Sequence, residues 1–192
     1  MNHRAFTLIE LLVVVAIIGI LAAVGTVAYN GYTSAAKIRA VKANHKIVHN
    51  WLQQETMKCA IYQDPMYTIL KGTHGSGYYC QNVSASKVAS LVASTSDILR
   101  DKIKNPYGCS AYCKEKTGYG GKYNSLSYGD ASKKFNIQNQ LGVIFLQAVD
   151  DDGNDSYSSS ATGIRVTSCN KIPCDPTTGE GYMKTTFAVD KF

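Results

Sequence analysis

An α+β fold is expected from three features of the sequence. A long helical segment occupies the N-terminal third, apolar at first and amphipathic afterwards. A middle region is broken up by Gly, Pro and Ser, and the C-terminal third carries short apolar or alternating runs separated by turn residues. The expected architecture is a long N-terminal α-helix packed on a C-terminal antiparallel β-sheet. At 192 residues the chain suits one ordinary domain plus an appendage.

The first element is set by "RAFTLIELLVVVAIIGILAAVGTVAY", Arg4 to Tyr29, in which Leu11 to Val24 is entirely apolar or Gly. Between Leu8 and Val24 the only ionisable residue is Glu10. A secretory signal would use Arg4 as its basic start, the apolar run as its core and "LAA" at Leu21–Ala23 as its cleavage site. A plain transmembrane helix would use Phe6 to Ala28, which has the required length. Glu10 fits neither, because a carboxylate inside a membrane segment is expensive. It could snorkel at the interface. A cut between Ala5 and Phe6 resolves the anomaly differently. It creates an α-amine about four residues, or roughly 6 Å of helix rise, from Glu10. An ammonium group supplies the partner that a carboxylate in apolar surroundings needs, and the first helical turn favours negative charge.

Helical spacing continues through Tyr32, Ala36, Val41, Val48 and Leu52, with Lys37, Arg39, Lys42 and Lys46 between them. One helix is therefore expected from about Phe6 to Met57, about 75 Å long at 1.5 Å per residue. Asn30–Gly31 marks a change of environment. Cys59 to Cys80 is loop-like, and Ser84 to Lys104 has helical spacing that ends at "NPYG". Tyr107 to Lys134 shows no period and is read as loop. Strands are expected at Leu141–Val149, a nearly continuous apolar run, at Gly163–Ser168, and at Tyr182–Lys191. In the last, Met183, Thr185, Phe187 and Val189 share one face.

Composition narrows the function. A net charge of +6 without a dense basic run does not make a nucleic-acid binder. Cys59, Cys80, Cys109, Cys113, Cys169 and Cys174 all follow the apolar segment, and no pair is spaced C-x-x-C. Disulfides outside the cytoplasm suit them. Sequence leaves the connectivity open; local pairing gives Cys59–Cys80, Cys109–Cys113 and Cys169–Cys174. "DDDGNDS" offers Asp150, Asp152 and Asn154 as calcium ligands at alternate positions, against the plainer reading of a turn. Ala161 stands where a twelfth-position carboxylate would be needed. His45 and His49 have the i, i+4 spacing of a zinc pair but lack a protease Glu or an apparent third ligand, and read as polar-face residues. "GSGYY" and "GYGG" are not phosphate loops. No catalytic constellation is legible, and a non-enzymatic protein is expected. The thirteen tyrosines suit either subunit interfaces or loop packing.

The stretch "RAFTLIELLVVVAIIGILAAVGTVAYNGY", residues 4–32, closely resembles the N-terminal signature of type IV pilins and pseudopilins. The matching parts are a short basic leader, a small residue before Phe, "FTLIELL", "AIIGILAA", and the pair Tyr29 and Tyr32. The resemblance implies a prepilin peptidase that cuts after Ala5 and methylates the amine of Phe6. It also implies that Glu10 pairs with the N-terminal amine of a neighbouring subunit during filament assembly. Two positions depart from the pattern. Ala5 replaces the usual Gly, and Val27 stands near where the family commonly has a kinking Pro. Gly25 and Gly31 remain as weak points of the helix.

The domain plan implied is a leader at 1–5, a transmembrane and filament-core helix at 6–29, and a pilin head at 30–192. Within the head the helix continues to about 57, a loop and second helix fill 58–134, and an antiparallel sheet fills 139–192. The leading function is a major or minor subunit of a type IV pilus, serving adhesion, twitching motility or DNA uptake. Its partners would be copies of itself or other pilins, the prepilin peptidase, an inner-membrane assembly platform, and the membrane before assembly. Nucleic acid would bind only if the pilus serves competence. The prepilin would sit in the bacterial inner membrane, head outside the cytoplasm, and later in the extracellular pilus. A type II secretion pseudopilin is the first alternative and a secreted disulfide-rich binding module the second. No cofactor is expected beyond the calcium alternative.

Overall fold

The computed structural model describes residues 7–66, 68–69, 78–94, 99, 103–108, 126–128, 141–156 and 161–189. Helix α1 runs without interruption over Leu8–Tyr62, through Gly25 and Gly31. It continues five residues past the expected end because its stop lies later. Gln63 takes a positive φ of 50°, and its amide donates to the Cys59 carbonyl at 3.1 Å. This is the left-handed closure typical of helix C-termini, followed at once by Pro65.

The chain divides into two compact units, Met1–Lys37 and Ile38–Phe192. In the first, every described residue from Leu8 on is helical. The second contains the rest of α1 and all other elements. After α1 come β1 (Thr68–Ile69) and β2 (Tyr78–Tyr79), an antiparallel pair inside the stretch expected to be loop. Strands this short leave no periodic signal in sequence. A single 3-10 turn over Cys80–Asn82 leads to α2, Ala85–Ser94. The second helix was expected to reach Lys104, but Ile103–Asn105 is not helical. The Asn44 side-chain amide donates to the Lys104 carbonyl at 2.8 Å, fixing that segment to α1.

The main sheet has the order β3-β4-β5-β6. Strands β4 (Ile144–Val149), β5 (Gly163–Cys169) and β6 (Tyr182–Ala188) form the antiparallel meander. Strand β3 (Leu126–Tyr128) joins it in parallel to β4, within a region read as loop. Strand β4 begins at Ile144 rather than Leu141 because Gly142 turns the chain at φ +84°. A Cβ there would lie 2.1 Å from the Asn105 side-chain oxygen, so glycine is required. Asn105 in turn donates to the Leu141 carbonyl at 2.9 Å, and the Tyr107 hydroxyl to the Asn170 carbonyl at 2.5 Å.

The core forms where Val41, Val48 and Leu52 of α1 meet Ile144, Leu146 and Ala148 of β4, Ile164 and Val166 of β5, and Phe187 of β6. Val88 and Ala89 of α2, with Leu99 and Ile103, close the same cluster. Strands β4 and β5 are buried along their whole length on both faces. A second, smaller cluster of Phe145, Cys169 and Cys174 lies on the sheet's other face, which follows from the alternation of side chains along β4 and β5.

Candidate functional site

Every described residue from Thr7 to Tyr32 is exposed. Leu8, Ile9 and the large apolar side chains as far as Val27 include none less than 47% exposed. A helix that is apolar all round belongs in a lipid or protein interior, and α1 is long and apolar enough to cross a membrane. Its N-terminus is built around Glu10. The Thr7 amide donates to Glu10 Oε2 at 2.9 Å, and the Thr7 hydroxyl donates to the same oxygen at 2.8 Å. The Glu10 amide lies 3.3 Å from Thr7 Oγ1. Thr7 and Glu10 thus form a reciprocal capping box, which satisfies helix-terminal donors that have no intrahelical acceptor. The sequence signals it as "TLIE", a Thr followed three residues later by Glu. The expected cleavage and methylation residues, Ala5 and Phe6, lie outside the described residues.

The cysteines are brought together in part. Disulfides join Cys59 to Cys80 and Cys169 to Cys174. The first ties the last turn of α1 to the start of the 3-10 turn, and the second closes the loop leaving β5. Cys109 and Cys113 lie outside the described residues.

The Asp150 loop is a tight turn after β4. The Asp150 carboxylate accepts the Asn154 amide at 2.7 Å, and the Gly153 amide donates to the Asp150 carbonyl at 3.0 Å. Asp152 and Asn154 are exposed. Arg165 of β5 reaches the same loop, donating to Asp155 Oδ1 at 2.9 Å and to the Gly153 carbonyl. A guanidinium thus supplies positive charge beside the candidate calcium ligands. Among the described residues no group of three or more His, Cys, Asp or Glu is placed to hold a metal ion.

His45 and His49 occupy a different place from the polar face expected of them. His45 is only 2% exposed. Its Nδ1 lies 2.9 Å from Ser168 Oγ of β5, and its Nε2 lies 3.0 Å from Thr185 Oγ1 of β6. Burial, reinforced by neighbouring His49, pushes its pKa down to about 4. His49 meets the Phe187 ring edge-on, with centroids 5.3 Å apart. The two imidazoles are therefore part of the contact between α1 and the sheet.

Residues 1–26 match the family model of the prokaryotic N-terminal methylation motif. This is the type IV prepilin signature, and it supports a type IV pilin-like protein. No curated protein and no solved structure matches the chain.

Proposed function

We propose that this chain is a structural subunit of a type IV pilus, cut after Ala5 and polymerised through the N-terminal half of α1. The observation that carries the proposal is an apolar helix, exposed on all sides, whose first turn presents Glu10 inside the segment matched by the methylation motif. Processing would leave the new amine of Phe6 about one helical turn from Glu10. In the filament the carboxylate would pair with the amine of a neighbouring subunit. Glu10 Oε2 is held by Thr7, so the side chain is positioned before any partner arrives. Leaving the charge unpaired in an apolar core would cost several kcal/mol, which fixes the register between subunits. Head-to-tail contacts of this kind propagate an open filament. The glycines of the segment support the same reading. Beyond the neighbouring backbone of the helix itself, a Cβ at Gly19, Gly25 or Gly31 would meet nothing within 4 Å, so these positions suit close approach by a second helix.

Before assembly the same segment would hold the prepilin in the inner membrane with its head outside the cytoplasm, where disulfides persist. The subunit has no catalytic task in this scheme; the peptidase and an assembly platform do the chemistry and the work. The test is the composition of filaments sheared from cells. Filaments built mainly of this chain, starting at N-methylated Phe6, are the expected result. A chain that starts at Phe6 but never enters surface filaments would indicate a pseudopilin. A mature N-terminus after Ala23 would indicate a secreted module.

A further inference from the structure

Within the unit Ile38–Phe192, α1 is fastened to the sheet by two adjacent imidazoles rather than by apolar contacts alone. His45 bridges both strands it faces, through the hydroxyls of Ser168 on β5 and Thr185 on β6. One helical turn on, His49 rests against Phe187 of β6, and its buried Nδ1 has no hydrogen-bond partner among the described residues. We propose that His45 and His49 form an acid-sensitive clasp that holds α1 on β5–β6 while both rings are neutral and releases it when they take up protons.

The surroundings of the pair support this. On β5 the side chains that share the face of Ser168 are Ile164 and Val166, and on β6 those that share the face of Thr185 are Met183 and Phe187, none of them titratable. From β4 the same face carries Ile144, Leu146 and Ala148. From the segment after α2, Ile103 and the partly buried Tyr107 join the cluster, while Lys104 is exposed. On α1 itself Lys42 and Lys46 are exposed, and their positive charges cannot stabilise an imidazolium. No carboxylate among the described residues on these faces points to the pair. A proton gained by His45 is thus buried, and one gained by the half-buried His49 partly so, without a counter-charge, and a second proton four residues away on the same helix adds like-charge repulsion. The neutral rings suit the site: one nitrogen of His45 accepts from a hydroxyl while the other donates.

The sign follows from linkage. Burial lowers the proton affinity of both rings, His45 to about pH 4. The unfolded chain therefore binds more protons between about pH 6.5 and pH 4, and stability is lost as the pH falls through that window. Above it the clasp is fully closed.

Trp51 is the single tryptophan of the chain and packs partly buried against this core, so its fluorescence reports on the contact. The experiment measures the thermal midpoint of the full chain in detergent at pH 7.5 and pH 4.5, for wild type and for His45→Gln/His49→Gln. Glutamine keeps a donor and an acceptor but does not titrate. Wild type is expected to lose on the order of 5–10 °C more than the double variant between the two pH values. Equal losses would overturn the clasp. Should the variant fold poorly, imidazole titration of the wild type by NMR decides. His45 titrating near pH 4 and His49 below the ordinary histidine range support the proposal; both titrating near pH 6.5 refute it.

Discussion

The two halves of α1 share one uninterrupted run of backbone hydrogen bonds and solve opposite problems. From Leu8 to Val27 large apolar side chains project all round the helix and remain exposed. From Val41 to Cys59 a single stripe is buried, with Lys42 and Lys46 exposed beside it. Secondary structure is therefore uninformative about role in this helix, and the width of the apolar surface is what matters. A stripe needs one partner, which the head's own sheet provides. A full circumference needs a surrounding medium, first lipid and then, on the proposed function, other copies of the same helix.

The sharpest way to break that contrast is Glu10→Val. It should leave the head's thermal midpoint unchanged, because among the described residues the hydrogen bonds of the Glu10 side chain go to Thr7 of its own first turn. On the proposed function, filament yield should nevertheless fall by an order of magnitude or more, since an interchain ion pair whose breaking costs about 3–5 kcal/mol would be lost at every subunit. Normal filaments from this variant would remove the ion pair from the assembly scheme.

Two leucine truncations then compare the halves directly. Leu52 is 0% exposed and Leu12 is 58% exposed. Leu52→Ala should cost the head about 2–5 kcal/mol through lost burial and the cavity left behind. Leu12→Ala should leave the same unfolding transition in place and act only on membrane retention or assembly. Equal shifts in denaturant midpoint would show that the two halves fold as one unit.

The same contrast explains what the sequence revealed. The apolar half was legible because a run this long and this apolar calls for an apolar surrounding, while Glu10 and the residues around it carried the choice among a signal, a plain membrane span and a prepilin helix. The head's half is legible in outline through Val41, Val48 and Leu52, but apolar residues alone leave a gap in the stripe. Residues 41, 45, 48 and 52 form a continuous 4-3-4 pattern, and His45 fills the vacant place. An imidazole is polar by type, which on sequence alone points to the solvent face. Only the structure supplies the hydroxyls of Ser168 and Thr185 that make its burial tolerable. Along β5, Arg165 and Thr167 alternate with Ile164 and Val166, a pattern that on its own fits one wet face, yet that face is buried too, with Arg165 bonded to the Asp150 turn. Strand β3 is not legible because three residues carry no period, and it pairs with β4 in parallel rather than through a hairpin turn. At the helix start, by contrast, the capping box was written in four consecutive residues.

The disulfides sharpen the comparison within the head. Cys59–Cys80 closes a separation of 21 residues at the end of α1, and Cys169–Cys174 closes one of 5. By loop entropy the first should contribute about 3 kcal/mol and the second about 2. Cys59→Ser/Cys80→Ser should thus lower the unfolding midpoint more than Cys169→Ser/Cys174→Ser. The reverse order would mean that the short loop constrains native packing directly, through the small cluster with Phe145.

The smallest effect is expected at the Asp150 turn, where charge rather than chain entropy is at stake. Asp150 already spends a carboxylate oxygen on the Asn154 amide, and Arg165 places a permanent positive charge against Gly153 and Asp155. A divalent ion would have to displace one contact and tolerate the other. Millimolar calcium should therefore move the thermal midpoint of the wild type by no more than about 1 °C, whereas a site occupied well above its dissociation constant would add about 3 kcal/mol. Arg165→Gln separates the two charges at issue. It removes the competing cation and keeps the acidic turn, so a calcium-dependent rise seen only in this variant would show that Arg165 holds the place an ion would take. A comparable rise in the wild type would make the turn a calcium site despite the guanidinium.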